Sequence, residues 1–129
     1  MIVNSRNQVL LGLRKNRPAE GFWFVPGGRI LKNESLKDAF ERLTISELGH
    51  KFALNQAKLQ GPYDHFYHDS IFGEYPSTHY VAIAYRLEVD DFQFLPDQQH
   101  SAYKWFDIND LILDKHVHQN TKNYFSFKG

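Results

Sequence analysis

The chain has 129 residues, 42% of them hydrophobic, which suits one domain around a single core and is too short for two. Lys plus Arg and Asp plus Glu balance at 15 each, so no net field draws the protein to nucleic acid or to an anionic membrane, and a small soluble ligand is the expected partner. The absence of cysteine excludes disulfides and thiolate metal sites and fits a reducing compartment; with no apolar run of membrane-spanning length and no signal-peptide pattern after Met1, the cytoplasm is the expected location.

In chain order, Gln8–Arg14 reads as a strand and Phe22–Val25 as a second, closed by the turn Pro26-Gly27-Gly28. Ser35 stands three residues before Asp38, the spacing of a capping box, and Leu36, Ala39, Phe40 and Leu43 then recur at helical intervals until Gly49 supplies a stop. Pro62–Ser77 is rich in Tyr, Asp, His, Gly and Pro without a sustained period, and reads as a functional loop or a pair of irregular strand ends. From His79 to Leu87 successive residues alternate as in a strand whose faces meet different surroundings. Tyr103–Phe106 is a short strand, Asp107 can cap a short helix through Ile112, and Val117–Phe125 is a last helix. There is neither a repeat nor a linker, and the class is α/β or α+β with a mixed sheet.

Glu47 disturbs this pattern. At 100° per residue Leu36, Ala39, Phe40 and Leu43 fill an arc of roughly 100°, and Glu47 returns to its centre. A carboxylate thus faces inward in the last helical turn, where desolvation and the helix dipole both disfavour negative charge. Two readings are open. Either the helix end projects past the core and Glu47 is solvated or paired with an Arg, or it serves a ligand. The Pro-Gly-Gly turn can bring backbone groups close to such a ligand, and Glu34 and Arg42 add charge to the same loop-helix unit. Together these suit a hard cation bridging to phosphate, since Mg²⁺ prefers oxygen ligands.

Gly28, Glu34, Arg42, Glu47 and Gly49 match the spacing of the Nudix box, the loop-helix signature of enzymes that hydrolyse nucleoside diphosphates linked to another moiety. Two acids of that box are absent, with Leu43 and Ser46 in their places. The run from Asn16 through Phe22-Trp23-Phe24-Val25-Pro26-Gly27-Gly28-Arg29, with Phe40-Glu41-Arg42-Leu43-Thr44, Glu47-Leu48-Gly49, His65-Phe66-Tyr67, Thr78-His79-Tyr80-Val81 and Pro96-Asp97-Gln98-Gln99-His100, resembles a subgroup with such an abbreviated box, the GDP-mannose mannosyl hydrolases. These break the bond between the sugar C1 and the phosphate oxygen.

The resemblance implies a Nudix fold, with a mixed β-sheet between helices, and one Mg²⁺ held by the Gly27 carbonyl, Glu47 and Gln99. It also implies attack of water on C1 assisted by His100. Arg14 is the expected diphosphate contact and Tyr80 a hydrogen-bond donor to it, while Arg29 and Arg42 orient substrate or brace the helix. His65 contacts substrate or satisfies a turn. Phe22, Trp23 and Phe24 read as core before base-stacking residues. Relatives carry a further leading segment where this chain starts at Met1, so a sheet that can lack its leading edge strand is expected, and the family's homodimer with it. Three functions follow: a GDP-hexose glycosyl hydrolase, a pyrophosphohydrolase attacking phosphorus, and a nucleotide-sugar binding protein with little activity. Leu43 and Ser46 disfavour the second, whereas Glu47, Gln99 and His100 disfavour the third.

Overall fold

The structure, a computed structural model, describes residues 1–15, 19–67, 77–90 and 100–125. Its elements are β1 (Ile2–Val3), β2 (Gln8–Arg14), β3 (Trp23–Phe24), α1 (Leu36–Leu48), a 3-10 turn (Leu54–Gln56), β4 (Ala57–Tyr67), β5 (Thr78–Glu88), β6 (His100–Asp107), α2 (Ile108–Leu111) and α3 (Gln119–Lys122). The strands form one mixed sheet in the order β3-β2-β1-β5-β4, with β6 also paired to β2. The short β1 is an interior link rather than a missing edge. Val3 pairs antiparallel with Val9, while Ile2 and Val3 pair parallel with Leu87 and Glu88.

β2 is the spine of the sheet, because its alternation is hydrophobic on both faces. Val9 and Leu11 join Val3, Phe106, Leu111 and Val117 in one cluster, and Leu10 joins Ile2, Leu48 and Leu87 in the other. The first cluster is covered by α2 and the C-terminal segment, the second by α1. The sheet therefore lies between helices, as expected.

Helix α1 begins and ends where its sequence signals lie. The Ser35 hydroxyl accepts from the Asp38 amide at 3.0 Å, and Gly49 closes the helix at φ 69°, its amide donating to the Ile45 carbonyl at 2.9 Å. Its buried face differs from the expected stripe at the first turn. Ala39, Thr44, Glu47 and Leu48 are buried, while Leu36 is 41% exposed. Leu36 shares the angular position of Glu47, so its exposure comes from its place at the start of the helix: the α1 residues that join the Leu10 cluster, Phe40 and Leu48, lie beyond it.

Three other expectations change. The first part of the segment read as a loop, up to Tyr67, belongs to the eleven-residue β4, paired antiparallel with β5 along its length apart from a register shift between Leu59 and Gly61; positions 68–76 lie outside the described residues. β4 is an edge strand, which tolerates Pro62. Part of that edge is covered by α3, where the Asn120 side-chain amide donates to the Phe66 carbonyl at 3.2 Å. The last helix contracts to Gln119–Lys122, capped by His118, because Val117 forms a bridge with Trp23 instead of a helical turn. β6 starts at His100, three residues before the expected strand, and carries an irregularity. Leu13 pairs with Ala102 but Arg14 pairs with His100, so Ser101 is the extra residue of a bulge. None of the described helices is long and apolar enough to cross a membrane.

Candidate active site

The loop before α1 is held from both sides by arginines. Arg42 makes a forked ion pair with Glu34, Nε to Oε2 at 2.7 Å and Nη2 to Oε1 at 2.9 Å, and Nη2 also donates to the Arg29 carbonyl at 2.7 Å. Glu34 in turn accepts from the Leu31 amide at 3.0 Å. The Arg42 hydrogen bonds and this amide hold the Glu34 carboxyl down at about 2, and the hydrogen bonds to Glu34 in turn raise the Arg42 guanidinium. Arg29 reaches the other way, donating from Nη2 to the Tyr80 hydroxyl at 3.0 Å with its guanidinium 5.8 Å from that ring's centre. Arg29, Arg42 and Tyr80, all expected in the site, are thereby brought together, with Arg42 bracing the loop.

Gly28 sits against α1 so closely that a Cβ there would lie 2.5 Å from Leu43 Cδ2. The turn thus packs on the helix itself, against the residue that replaces a box acid. Ser46, replacing the other, is exposed. Glu47 is 3% exposed, so the inward carboxylate read from the helical period is present in the fold. The Tyr103 hydroxyl, 3.0 Å from the Glu47 carbonyl and 3.2 Å from its Oε2, donates to this residue from β6.

These donors fit a hard cation. A buried carboxylate is the oxygen ligand that Mg²⁺ favours, and the missing Cβ of Gly28 lets the turn bearing the Gly27 carbonyl lie on the helix that carries Glu47. Among the described residues no three His, Cys, Asp or Glu side chains group as metal donors. Gln99, the third expected ligand, lies outside the described residues. His100 opens β6, and its backbone pairs with Arg14.

An aromatic wall links the arginines. The Arg14 guanidinium is 5.9 Å from the centre of the Phe24 ring, which stacks on His118 at 4.8 Å and 26°. Tyr67 touches Phe24, His118 and Tyr80 in turn, at 5.9, 5.3 and 6.1 Å between ring centres. His118 Nδ1 accepts from the Asn120 amide at 3.0 Å, an assignment that places a neutral ring's proton on Nε2. Phe24 is buried and Trp23 packs edge-on to Phe106, which agrees with their reading as core, whereas Phe22 is 37% exposed, edge-on to His118 outside the core. His65 is only 8% exposed and lies 2.9 Å from the Tyr124 hydroxyl. Burial lowers its pKa against the opposing pull of Asp64, and burial likewise raises that of Tyr124. His65 therefore fastens β4 to the C-terminal segment. Tyr67, Tyr103, His118 and Tyr124 were not singled out from the sequence. The one signal for Tyr103 was its parity with Trp105 on β6, which puts both on the Leu10 face.

Known proteins agree with this architecture. The low-salt glycan biosynthesis protein Agl8 of Haloferax volcanii is 41% identical over 107 residues, covering 83% of this chain and 67% of its own length. Among solved structures, the MutT protein of Methanosarcina mazei superposes with a TM-score of 0.78 at 21% identity, over 97% of this chain and 85% of its own. The NUDIX domain of Shewanella oneidensis NrtR, complexed with ADP ribose, gives 0.70 at 18% identity over 95% and 79%. The family model described as the NUDIX domain matches residues 1–127, and the chain accordingly belongs to the Nudix family.

Proposed function

We propose that this Nudix chain hydrolyses a GDP-hexose, GDP-mannose or a close relative, to GDP and free hexose, with water attacking C1 and inverting it. The observation that supports this most is the reduced acid set on α1. Glu47 alone of the last-turn box positions is a buried carboxylate, Leu43 is used to seat Gly28, and Ser46 faces out. That is a poor site for metal-assisted attack on phosphorus and an adequate one for leaving-group departure. The similarity to a protein named for glycan biosynthesis is in keeping with a nucleotide-sugar substrate.

In this reading Glu47, the Gly27 carbonyl and Gln99 hold one Mg²⁺, which when bound neutralises charge on the departing diphosphate. Arg14, with Arg29 and Tyr80 across the aromatic wall, binds the diphosphate and stabilises the charge that develops on it. Arg42 holds the loop that carries Arg29. The neutral imidazole of His100 takes the proton of the attacking water, as the base does in an inverting glycosidase. No separate acid is required, because a diphosphate is already a good leaving group. The protein is taken to act in the cytoplasm as a homodimer, which sedimentation would test.

Hydrolysis in ¹⁸O-labelled water tests the reading. Label in the hexose, released first as the inverted anomer with unlabelled GDP, is expected. Label in a phosphate, with a sugar phosphate as co-product, overturns it in favour of a pyrophosphohydrolase, and no turnover of any nucleotide sugar with Mg²⁺ would favour a binding protein.

A further inference from the structure

Helix α1 ends with a problem that a residue on another element solves. Glu47 has its carboxylate buried at the negative end of the helix, and α1 has no basic residue in its last turn. Its carbonyl also belongs to the last turn, where carbonyls lack helical partners. The Tyr103 hydroxyl, on the strand that pairs with β2, meets both, at 3.0 Å from the carbonyl and 3.2 Å from Oε2. Its ring is packed in the cluster of Ile2, Leu10, Leu48 and Leu87, so the donor is fixed before any ligand arrives.

We propose that Tyr103 is a positioning residue for Glu47: it engages one carboxylate oxygen and the main chain of the same residue, which fixes the rotamer in which the carboxylate is presented to a divalent cation. The inference rests on the reading of Glu47 as a metal ligand. Groups that orient a metal ligand from behind commonly change affinity by about 10- to 100-fold when removed. A second consequence concerns β6 itself. Tyr103 lies three residues beyond His100 on the same strand, so the strand that supplies the expected base also sets the carboxylate, and the two are kept in register by one stretch of backbone.

The test is binding of Mn²⁺ to the full substrate-free chain, followed by electron paramagnetic resonance, with the wild type, Tyr103→Phe, Glu47→Gln and the double variant. Phe keeps the ring in its cluster, and thermal unfolding of each variant reports whether the fold is retained. Tyr103→Phe is expected to raise the Kd for Mn²⁺ roughly 10-fold and to have no further effect in the Glu47→Gln background. Under turnover it raises the Mg²⁺ concentration for half-maximal rate, with KM for substrate at saturating Mg²⁺ unchanged. If Glu47→Gln weakens Mn²⁺ binding but Tyr103→Phe only lowers the Tm, Tyr103 is a packing residue and the inference is overturned. If Glu47→Gln leaves Mn²⁺ binding unchanged, the ligand assignment itself fails and takes the inference with it.

Discussion

Exchange of Glu47 for Gln separates a functional carboxylate from a structural one, because the two roles predict opposite signs for stability. Gln preserves the shape of the buried side chain and can still accept from Tyr103 Oη. It removes a charge at the helix C-terminus whose repulsion by the dipole costs ~0.3–1 kcal/mol, together with part of the penalty for desolvating an ion. Against this, the Tyr103 hydrogen bond loses its charge assistance, worth ~1 kcal/mol. The balance leaves the metal-free variant between unchanged and ~2 kcal/mol more stable, and each ~1 kcal/mol moves the Tm by about 3–5 °C in a chain of this size. Turnover should move the other way, by on the order of 10²–10³, the loss typical of removing one preorganised electrostatic group from a site. Circular dichroism melts in a chelator and steady-state rates at limiting and saturating Mg²⁺ measure both. A Tm lowered by more than ~5 °C with turnover intact at limiting Mg²⁺ would refute the argument and make Glu47 a structural anchor.

The other predictions follow from pairs in the structure. Glu34, unfolded near 4.5 and folded near 2, contributes stability that is complete above about pH 4.5 and lost as the pH falls through 2; Glu34→Gln should flatten the acid-unfolding curve across that window, and an unchanged curve would show that the Arg42 fork does not brace the loop. His65 has its folded pKa below 6.5 through burial, so the unfolded chain takes the proton first and stability declines as the pH drops below 6.5. The pH dependence of urea unfolding between 7 and 5 should be shallower in His65→Gln. Gly28→Ala must displace the Leu43 methyl that its Cβ would meet at 2.5 Å, costing about 1 kcal/mol, and that added cost should vanish in a Leu43→Ala background; additive losses would mean the two residues are not in contact. For the base, His100→Gln is expected to slow turnover on the order of 10²–10⁴-fold and to abolish the acid limb of the pH-rate profile.

Elements whose local signals agree with their surroundings were legible in the sequence. β2 occupies Gln8–Arg14 as read, because its apolar run satisfies both faces of the sheet, and α1 is bracketed by Ser35 and Gly49 because both caps act within one turn. The inward carboxylate was legible for the same reason, since helical period alone places Glu47. What the sequence hid depends on partners distant along the chain. β4 has no period across Gly61, which sits at φ +119° where the register with β5 shifts, so its alternation is broken on the page and restored only by pairing. Leu36 was assigned inward by spacing, yet the α1 residues that reach the Leu10 cluster are Phe40 and Leu48, and the first turn stays exposed. Tyr103 could be placed on a strand but not beneath Glu47, a contact spanning 56 residues. Of the site, the Arg29, Arg42 and Tyr80 grouping was legible through the resemblance; the Phe24, Tyr67 and His118 wall that connects it to Arg14 was not.

The bulge in β6 bears on how relatives are to be compared. Ser101 is the residue without a partner, flanked by Ala102 opposite Leu13 and His100 opposite Arg14. A relative one residue shorter here can have an unbroken ladder and still place the same histidine across from the same arginine. Alignment across β6 must therefore admit a single-residue gap at 101, since an ungapped match would assign the histidine's place to a serine. The chain can vary in length at this point without changing which two residues pair at the end of the strand.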